Sequence, residues 1–501
     1  MNKLYILILG IFILNGCRNR TGEVSPLSPP TTRIYLKQIN LTDSNSLSGK
    51  IKLSWQGESV NGYIKGYEII SDTLTCVQSA NYINNKPWSF TTKTDSLFLF
   101  PLPYGAKFAQ ISFYARAIDN KDVKDPNPPC LQLPVKNAQP TIKLDRVIGN
   151  IKSVTDTVHS VFSISWFADD PDGISNLDSV FVKFNNGNWV GFSKSVTQLT
   201  FVPTSADNAV STNCKILVGS TAKEDTRTIG SLNLNTYNKV YVRSKDISNA
   251  FSAVDTVNSF YYKKKNGDVL VVDCFNSPSR EERNVLDPIL KQTLKKTPSN
   301  GADSLNYDVY DINRSSNAYL PINWNITFTE YLKLYKSVFW INDGSTYGGN
   351  LAIELGITSI QNYLNAGGKI LVSISKLPLD INSPIYEFAP FDSISSKPGQ
   401  ARLSNNSKII PANINTYDTL KNVGLITGAT PGYTKKTANT LFTATYQALS
   451  NWSGPNIVAA GSLGNNGKYN QIYFTTDIHR LNGNNQSLRN VIAKIFNQDF
   501  K

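Results

Sequence analysis

Around residue 265 the hydrophobic period of the chain changes, and the two periods demand different folds. Upstream, apolar and polar residues alternate in short runs such as Ile51-Lys52-Leu53-Ser54-Trp55, so that one face of a strand enters a core and the other meets water. Downstream, Val269-Leu270-Val271-Val272 is apolar without a break between Asp268 and Asp273, as a strand covered on both faces requires. Residues 280–296 then repeat Leu286, Ile289, Leu290 and Leu294 at helical spacing. The chain is therefore expected to be multidomain, with antiparallel β-sandwiches first and an α/β three-layer domain last. Its 501 residues suit about three domains.

The upstream part is repeated. In residues 33–137 the segments Ile51–Trp55, Gly66–Ile70 and Ile111–Asp119 read as strands between turn residues, and in 138–264 Phe162-Ser163-Ile164-Ser165-Trp166 matches the first and Lys239–Asp246 the last. Such spacing predicts two antiparallel sandwiches. With Trp55, Tyr67 and the Tyr114–Asp119 segment in that order, they resemble fibronectin type III modules. Lys263-Lys264-Lys265 then reads as a solvated linker.

Residues 265–501 alternate strands and helices. Strands are expected at 307–312, 337–342, 369–374, 456–461 and 471–476, and helices at 328–334, 350–366 and 486–496. An insertion rich in Asn, Ser and Thr occupies about 378–455. This grammar predicts a mainly parallel sheet with helices on both faces, large enough to bury its own core. Asn342-Asp343-Gly344-Ser345, the helix end Tyr363–Lys369 and the late segment Ile472–His479 resemble the class I glutamine amidotransferase-like, flavodoxin-type fold. That resemblance implies a cysteine nucleophile after strand 369–374 and a histidine after a late strand. The sequence reads Ser373-Ile374-Ser375-Lys376-Leu377-Pro378, without the cysteine, while His479 stands where the histidine is expected. Ser375 and His479, with Asp477 orienting the imidazole, are the candidate catalytic residues. Asp343, Ser345 and Cys274 are ligand-binding candidates, because ligands meet such sheets at the carboxyl ends of the strands. Cys274 also reads as a small buried hydrophobe.

At the N-terminus, Lys3 precedes the apolar run Leu4–Leu14 and then Asn15-Gly16-Cys17. The run is shorter than the roughly 20 residues a spanning helix needs, and reads as a secretory signal peptide. Leu14-Asn15-Gly16-Cys17 resembles a bacterial lipobox. That resemblance implies removal of residues 1–16, a lipid on Cys17, and a flexible Pro-, Ser- and Thr-rich linker over 17–32. It further implies a cell-envelope location, with an outer membrane expected and the body facing the periplasm or the surface. The partners so implied are a membrane through the lipid anchor and a glycan or cell-envelope protein. The formal charge of +13 is spread along the chain, which argues against nucleic acid as a partner.

Smaller constellations remain. Cys76 and Cys130 are a disulfide candidate within one module. Asp169-Asp170-Pro171-Asp172-Gly173 is a turn recipe, and Asp169, Asp170 and Asp172 are calcium candidates on the alternative reading. Tyr63, Trp88 and Trp189 can stack on sugar rings or simply pack. His159 and His479, the two histidines, are far apart and match no Cys spacing, so no other metal and no cofactor is expected. The whole reads as an anchored, non-catalytic binding or scaffold protein; the alternative is an extracytoplasmic hydrolase of glycan, peptide or ester acting through the α/β domain.

Overall fold

A computed structural model describes residues 28–501 except 39–40, 44–45, 48, 101, 149–150, 153, 208–209, 258, 278, 297–303, 313–323, 348–349, 379, 381, 395–400 and 449–452. The expected signal peptide, Cys17 and most of the 17–32 linker lie outside the described residues. The protein is multidomain and mostly β, with several antiparallel sheets. Among the described residues no helix is long and apolar enough to cross a membrane.

The chain forms two compact units. The first runs to Pro140 and includes the loops Asp169–Leu177 and Asp246–Phe251. In it Thr31–Gln38, Lys50–Glu58 and Asp95–Leu99 form one sheet, and Ile64–Asp72, Ser89–Thr91, Phe108–Asp119 and Cys130–Lys136 belong to a second. Alternation decides which side chains meet between them: Ile51, Leu53 and Trp55 are buried against Phe113, Ala115 and Leu133. The Trp55 ring lies 5.8 Å from Phe113 and 6.3 Å from Tyr67. Cys76, on the short helix Cys76–Ser79, is disulfide-bonded to Cys130.

The loop Asp169–Leu177 is held by backbone donors. Asp172 is buried and accepts from the N–H groups of Gly49 (2.6 Å) and Ala138 (2.7 Å), while Asp170 accepts from Asp172 N–H and Asp169 from Asp170 N–H, both at 2.8 Å. Those carboxylate oxygens face N–H donors, as in a turn. Among the described residues no three Asp, Glu, His or Cys side chains are placed to hold a metal; the bonds that Asp169, Asp170 and Asp172 accept are those of the turn reading.

The second unit joins Thr141–Ala168, Asp178–Lys245 and Ser252–Lys501. Its sandwich buries Phe162, Ile164 and Trp166 from Phe162–Asp169 against Phe184, Phe201 and Phe260. Beyond it lies a nine-stranded sheet. Its strands in chain order are β1 (Val269–Asp273), β2 (Tyr307–Asp311), β3 (Ser337–Asn342), β4 (Lys369–Ile374), β5 (Lys408–Pro411), β6 (Leu420–Lys421), β7 (Ala438–Ala444), β8 (Ile457–Leu463) and β9 (Tyr469–Phe474). Across the sheet they run β2-β1-β3-β4-β9-β8-β7-β5-β6. The first four pairings are parallel and the last four antiparallel.

Helices α1 (Glu281–Thr293) and α4 (Asn485–Lys494) cover one face of the parallel strands, where Leu286, Ile289 and Val491 meet Val271, Phe339 and Leu371. Helices α2 (Trp324–Lys333) and α3 (Ile357–Asn365) cover the other, with Phe328, Ile360 and Tyr363 against Leu270, Trp340 and Val372. A helix expected over 350–366 is broken at Gly356, where a Cβ would stand 2.7 Å from the Trp340 ring.

Two expectations are corrected. The sheet is mixed rather than mainly parallel, and the segment 378–455 is no mere insertion, because it supplies β5, β6 and β7. Of these, Lys408–Pro411 and Leu420–Lys421 have only four and two residues, and β7 buries Leu441, Phe442 and Ala444 while its threonines suit a strand without marking one. The change of period near 265 also falls inside one compact unit. Val161, Val202 and Leu217 of the sandwich pack in the same apolar cluster as Phe328 and Tyr331, and the Ser163 and Thr327 hydroxyls are hydrogen-bonded at 2.6 Å.

The disulfide spans 54 residues, so opening it frees a large loop in the unfolded chain. Replacing Cys76 and Cys130 by Ser is expected to lower the stability of the first unit by about 2–4 kcal/mol. Urea melts of this unit, oxidised against the double variant, check the figure; coincident midpoints would exclude it.

Candidate functional site at the carboxyl edge of the parallel strands

The order β2-β1-β3-β4 reverses direction between β1 and β3, and in open sheets a crevice forms outside the strand ends at such a point. Because these strands are covered on both faces, polar side chains gather where they end. Asp273 closes β1, Asp311 closes β2, Asp343 follows β3, Ser375 follows β4, and Asp477 follows β9.

Asp343 bridges the two loops at the reversal, accepting from Asn276 N–H at 2.9 Å and from Ser345 N–H at 2.8 Å. Gly344 makes this turn possible with φ of +78°. Ser345 thus enters the site through its backbone. Asp273 accepts from Phe275 N–H at 3.1 Å and lies 3.4 Å from Arg280. Arg280 precedes α1 in the left-handed region, and its guanidinium also pairs with Asp311. Burial pushes the Asp273 carboxyl up to about 6, against the pull of Phe275 N–H, Arg280 and Arg283. Glu282, in the first turn of α1, is fully buried; burial raises its carboxyl too, and Arg280 stands 3.7 Å away.

On the other side of the edge, Ser373 Oγ accepts from Ile478 N–H at 2.9 Å and holds the turn that carries Asp477. The Ser375 hydroxyl donates to Asp477 and makes a 3.3 Å contact with the Asn342 carbonyl. Burial pushes Asp477 up to about 6, opposed by the Ser375 hydroxyl and Arg480. His479 is turned away: it is buried, with its ring edge-on to Phe275 at 5.3 Å, and burial with Arg480 pulls it down to about 4.

The expected triad is therefore not assembled. Ser375 and Asp477 meet, but the serine proton points to the carboxylate, and His479 is a neutral packing residue beside Phe275. Cys274 is also corrected as a ligand contact: it lies fully buried in the core cluster that contains Trp340, and burial drives its thiol far above the ordinary range. The amidotransferase resemblance implied a nucleophile elbow after β4; a serine tied to Asp477 and a half-antiparallel sheet replace it. Sequence reasoning overlooked Asp273, Glu282, Arg280 and Asp311. For Asp273 and Asp311 the signal is an acidic residue closing each of two neighbouring strands; Arg280 and Glu282, at the start of α1, carry none.

The aromatic candidates divide. Tyr63 is 68% exposed. Trp88 is covered by the Arg116 guanidinium at 4.1 Å, and Trp189 has Arg243 at 4.4 Å and Lys183 at 5.1 Å from its ring centre. Those cation–π contacts occupy ring faces that a sugar would need.

No protein-family model matches the chain, and no curated protein matches it in sequence. Among solved structures, fibronectin(III)-like modules of Clostridium thermocellum CbhA align with 46% of this chain and 94% of theirs at 13% identity, with a TM-score of 0.17. Escherichia coli alpha-2-macroglobulin activated by porcine elastase aligns over 49% of this chain and 24% of its own at 12% identity, with a TM-score of 0.15. Scores this low carry no assignment.

Asp477 supplies a pH test. Its folded value of about 6 lies above the ordinary carboxylate value of 3.8, so its favourable contribution is complete below about 4 and is lost as pH rises through 6. Asp477→Asn cannot ionise. The difference in Tm, variant minus wild type, is expected to become more positive between pH 5 and 8, roughly tracking that titration; a difference that stays level across this range would show that Asp477 does not titrate as a buried acid.

Proposed function

We propose that this chain is an exported, lipid-anchored cell-envelope protein that binds a partner and does not turn it over. In this reading Cys17 carries the lipid, and 17–32 spaces the body from the membrane. The two sandwiches are fibronectin type III-like spacers or binding units, a reading supported by the buried Trp55 and Trp166 at equivalent places in their strands. The last domain is a flavodoxin-type α/β body extended by an antiparallel wing; the order β2-β1-β3-β4-β9 supports this.

The observation that carries the non-catalytic reading is the hydrogen bond from Ser375 to Asp477 with His479 packed on Phe275. Nucleophilic serine needs a base within hydrogen-bond reach, tuned near the working pH. The imidazole expected in that role is pulled down to about 4 and packed on Phe275; the group hydrogen-bonded to Ser375 is instead the Asp477 carboxyl, which supports a role for this pair in holding the strand-end loops together.

Two measurements test the proposal. Cys17→Ser is expected to abolish lipid labelling and move the protein from the membrane to the soluble fraction; unchanged labelling and retention would refute the anchor. Purified protein is expected to leave glutamine, ester, peptide and glycan substrates intact. Turnover that disappears in both Ser375→Ala and His479→Ala, with folding preserved, would replace the binding reading by the hydrolase.

A further inference from the structure

At the opposite, amino end of the parallel strands lies a cleft of about 400 Å³ whose polar lining is entirely carboxamide. Gln361, Asn362 and Asn365 reach it from the last turns of α3, and Asn470 and Gln471 from the start of β9. The half-buried Phe388 provides an aromatic surface beside them. Among the described residues no charged side chain lines it.

Asn470 and Gln471 are consecutive, and in a regular strand they would face opposite sides of the sheet. They share the cleft because the β8 pairing is irregular there: Ser462 pairs with Gln471 and Leu463 with Tyr469, leaving Asn470 as the extra residue of a bulge. A bulge re-aims side chains. Gln471 is 93% buried, since its exposure is 7%. Its amide nitrogen donates to the Phe388 carbonyl at 3.2 Å, yet its Oε1 and the Oδ1 of Asn470 are buried and accept no hydrogen bond among the described residues. Buried amide oxygens left without donors are costly unless something else supplies them.

We propose that this cleft binds a neutral glycan. Each carboxamide both donates and accepts, matching a hydroxyl that does the same, and Phe388 offers an apolar face to a sugar ring. The lack of charge in the lining removes the counter-charge that an anionic or cationic ligand would require. A peptide added as a strand needs an open sheet edge, and β9 is hydrogen-bonded on both sides, to β4 and β8. The inference deepens the binding reading by naming a ligand class. It is independent of the anchor and of the carboxyl edge.

The test uses the full chain in its Cys17→Ser form, or in detergent if that form stays with the membrane. Titration calorimetry is run with cellohexaose, maltohexaose, xylohexaose and mannohexaose, with oligogalacturonate and hexaglycine as charged and peptide controls. At least one neutral oligosaccharide is expected to bind saturably and raise Tm. Asn362→Ala combined with Asn365→Ala, both at exposed positions, is expected to weaken it about tenfold, the effect of losing one or two hydrogen bonds. Phe388→Leu, which keeps an apolar side chain in the core, is expected to weaken it as well. The proposal is overturned if none of the neutral sugars binds, if only a control binds, or if neither variant changes the affinity. Chromatography of the bound sugar separates the two readings: cleavage would overturn the non-catalytic proposal while leaving the glycan site standing.

Discussion

Burial of β1, β3 and β4 on both faces is the constraint on which the rest of the second unit depends. Val269 to Val272, Val338 to Ile341 and Ile370 to Val372 are all buried, so each strand needs helices above and below and hydrogen-bonded strands on either side. This leaves polar chemistry only at the strand ends. The carboxyl edge accordingly collects Asp273, Asp311, Asp343, Ser375 and Asp477, and the amino edge collects the amides of α3 and β9.

The two edges are organised differently. At the carboxyl edge Asp343 is held by two backbone donors, Asp273 by Phe275 N–H and Arg280, and Asp477 by Ser375, while both oxygens of the buried Glu282 have no hydrogen-bond partner among the described residues. Those bonds order the loops, while burial pushes the Asp273 and Asp477 carboxyls up to about 6 against them. At the amino edge the amide oxygens of Asn470 and Gln471 have no donor among the described residues. Their convergence beside Phe388 is the basis of the binding site proposed there.

Apolar packing also links the second sandwich to the mixed sheet. Val161, Val202 and Leu217 fill space against Phe328 and Tyr331, with Ser163 and Thr327 hydrogen-bonded beside them. His159 lies in the same region, edge-on to Tyr310 at 5.1 Å. A sandwich and a sheet with different sequence periods therefore share a hydrophobic core.

Much of the local structure was legible in the residues. Alternation in Ile51–Trp55 and Phe162–Trp166 specified half-buried strands, and the unbroken runs at Val269 and Val338 specified doubly covered ones, because period is set by neighbours along the chain. Partnership is set in space. The antiparallel wing joins β5 and β7, where Ile409-Ile410 and Leu441-Phe442 are paired apolar residues rather than an alternating or unbroken run. Ser375 meets Asp477 across 102 residues, and the Phe275 ring meets His479 in place of a serine. The amide cleft depends on a bulge at Asn470 that displaces consecutive side chains. The sequence by itself determined which segments become strands and helices and which faces they bury; the tertiary structure decided whether the sheet is parallel throughout, which acid holds which hydroxyl, and where unpaired amides converge, because hydrogen-bond and packing partners are chosen by position in the fold.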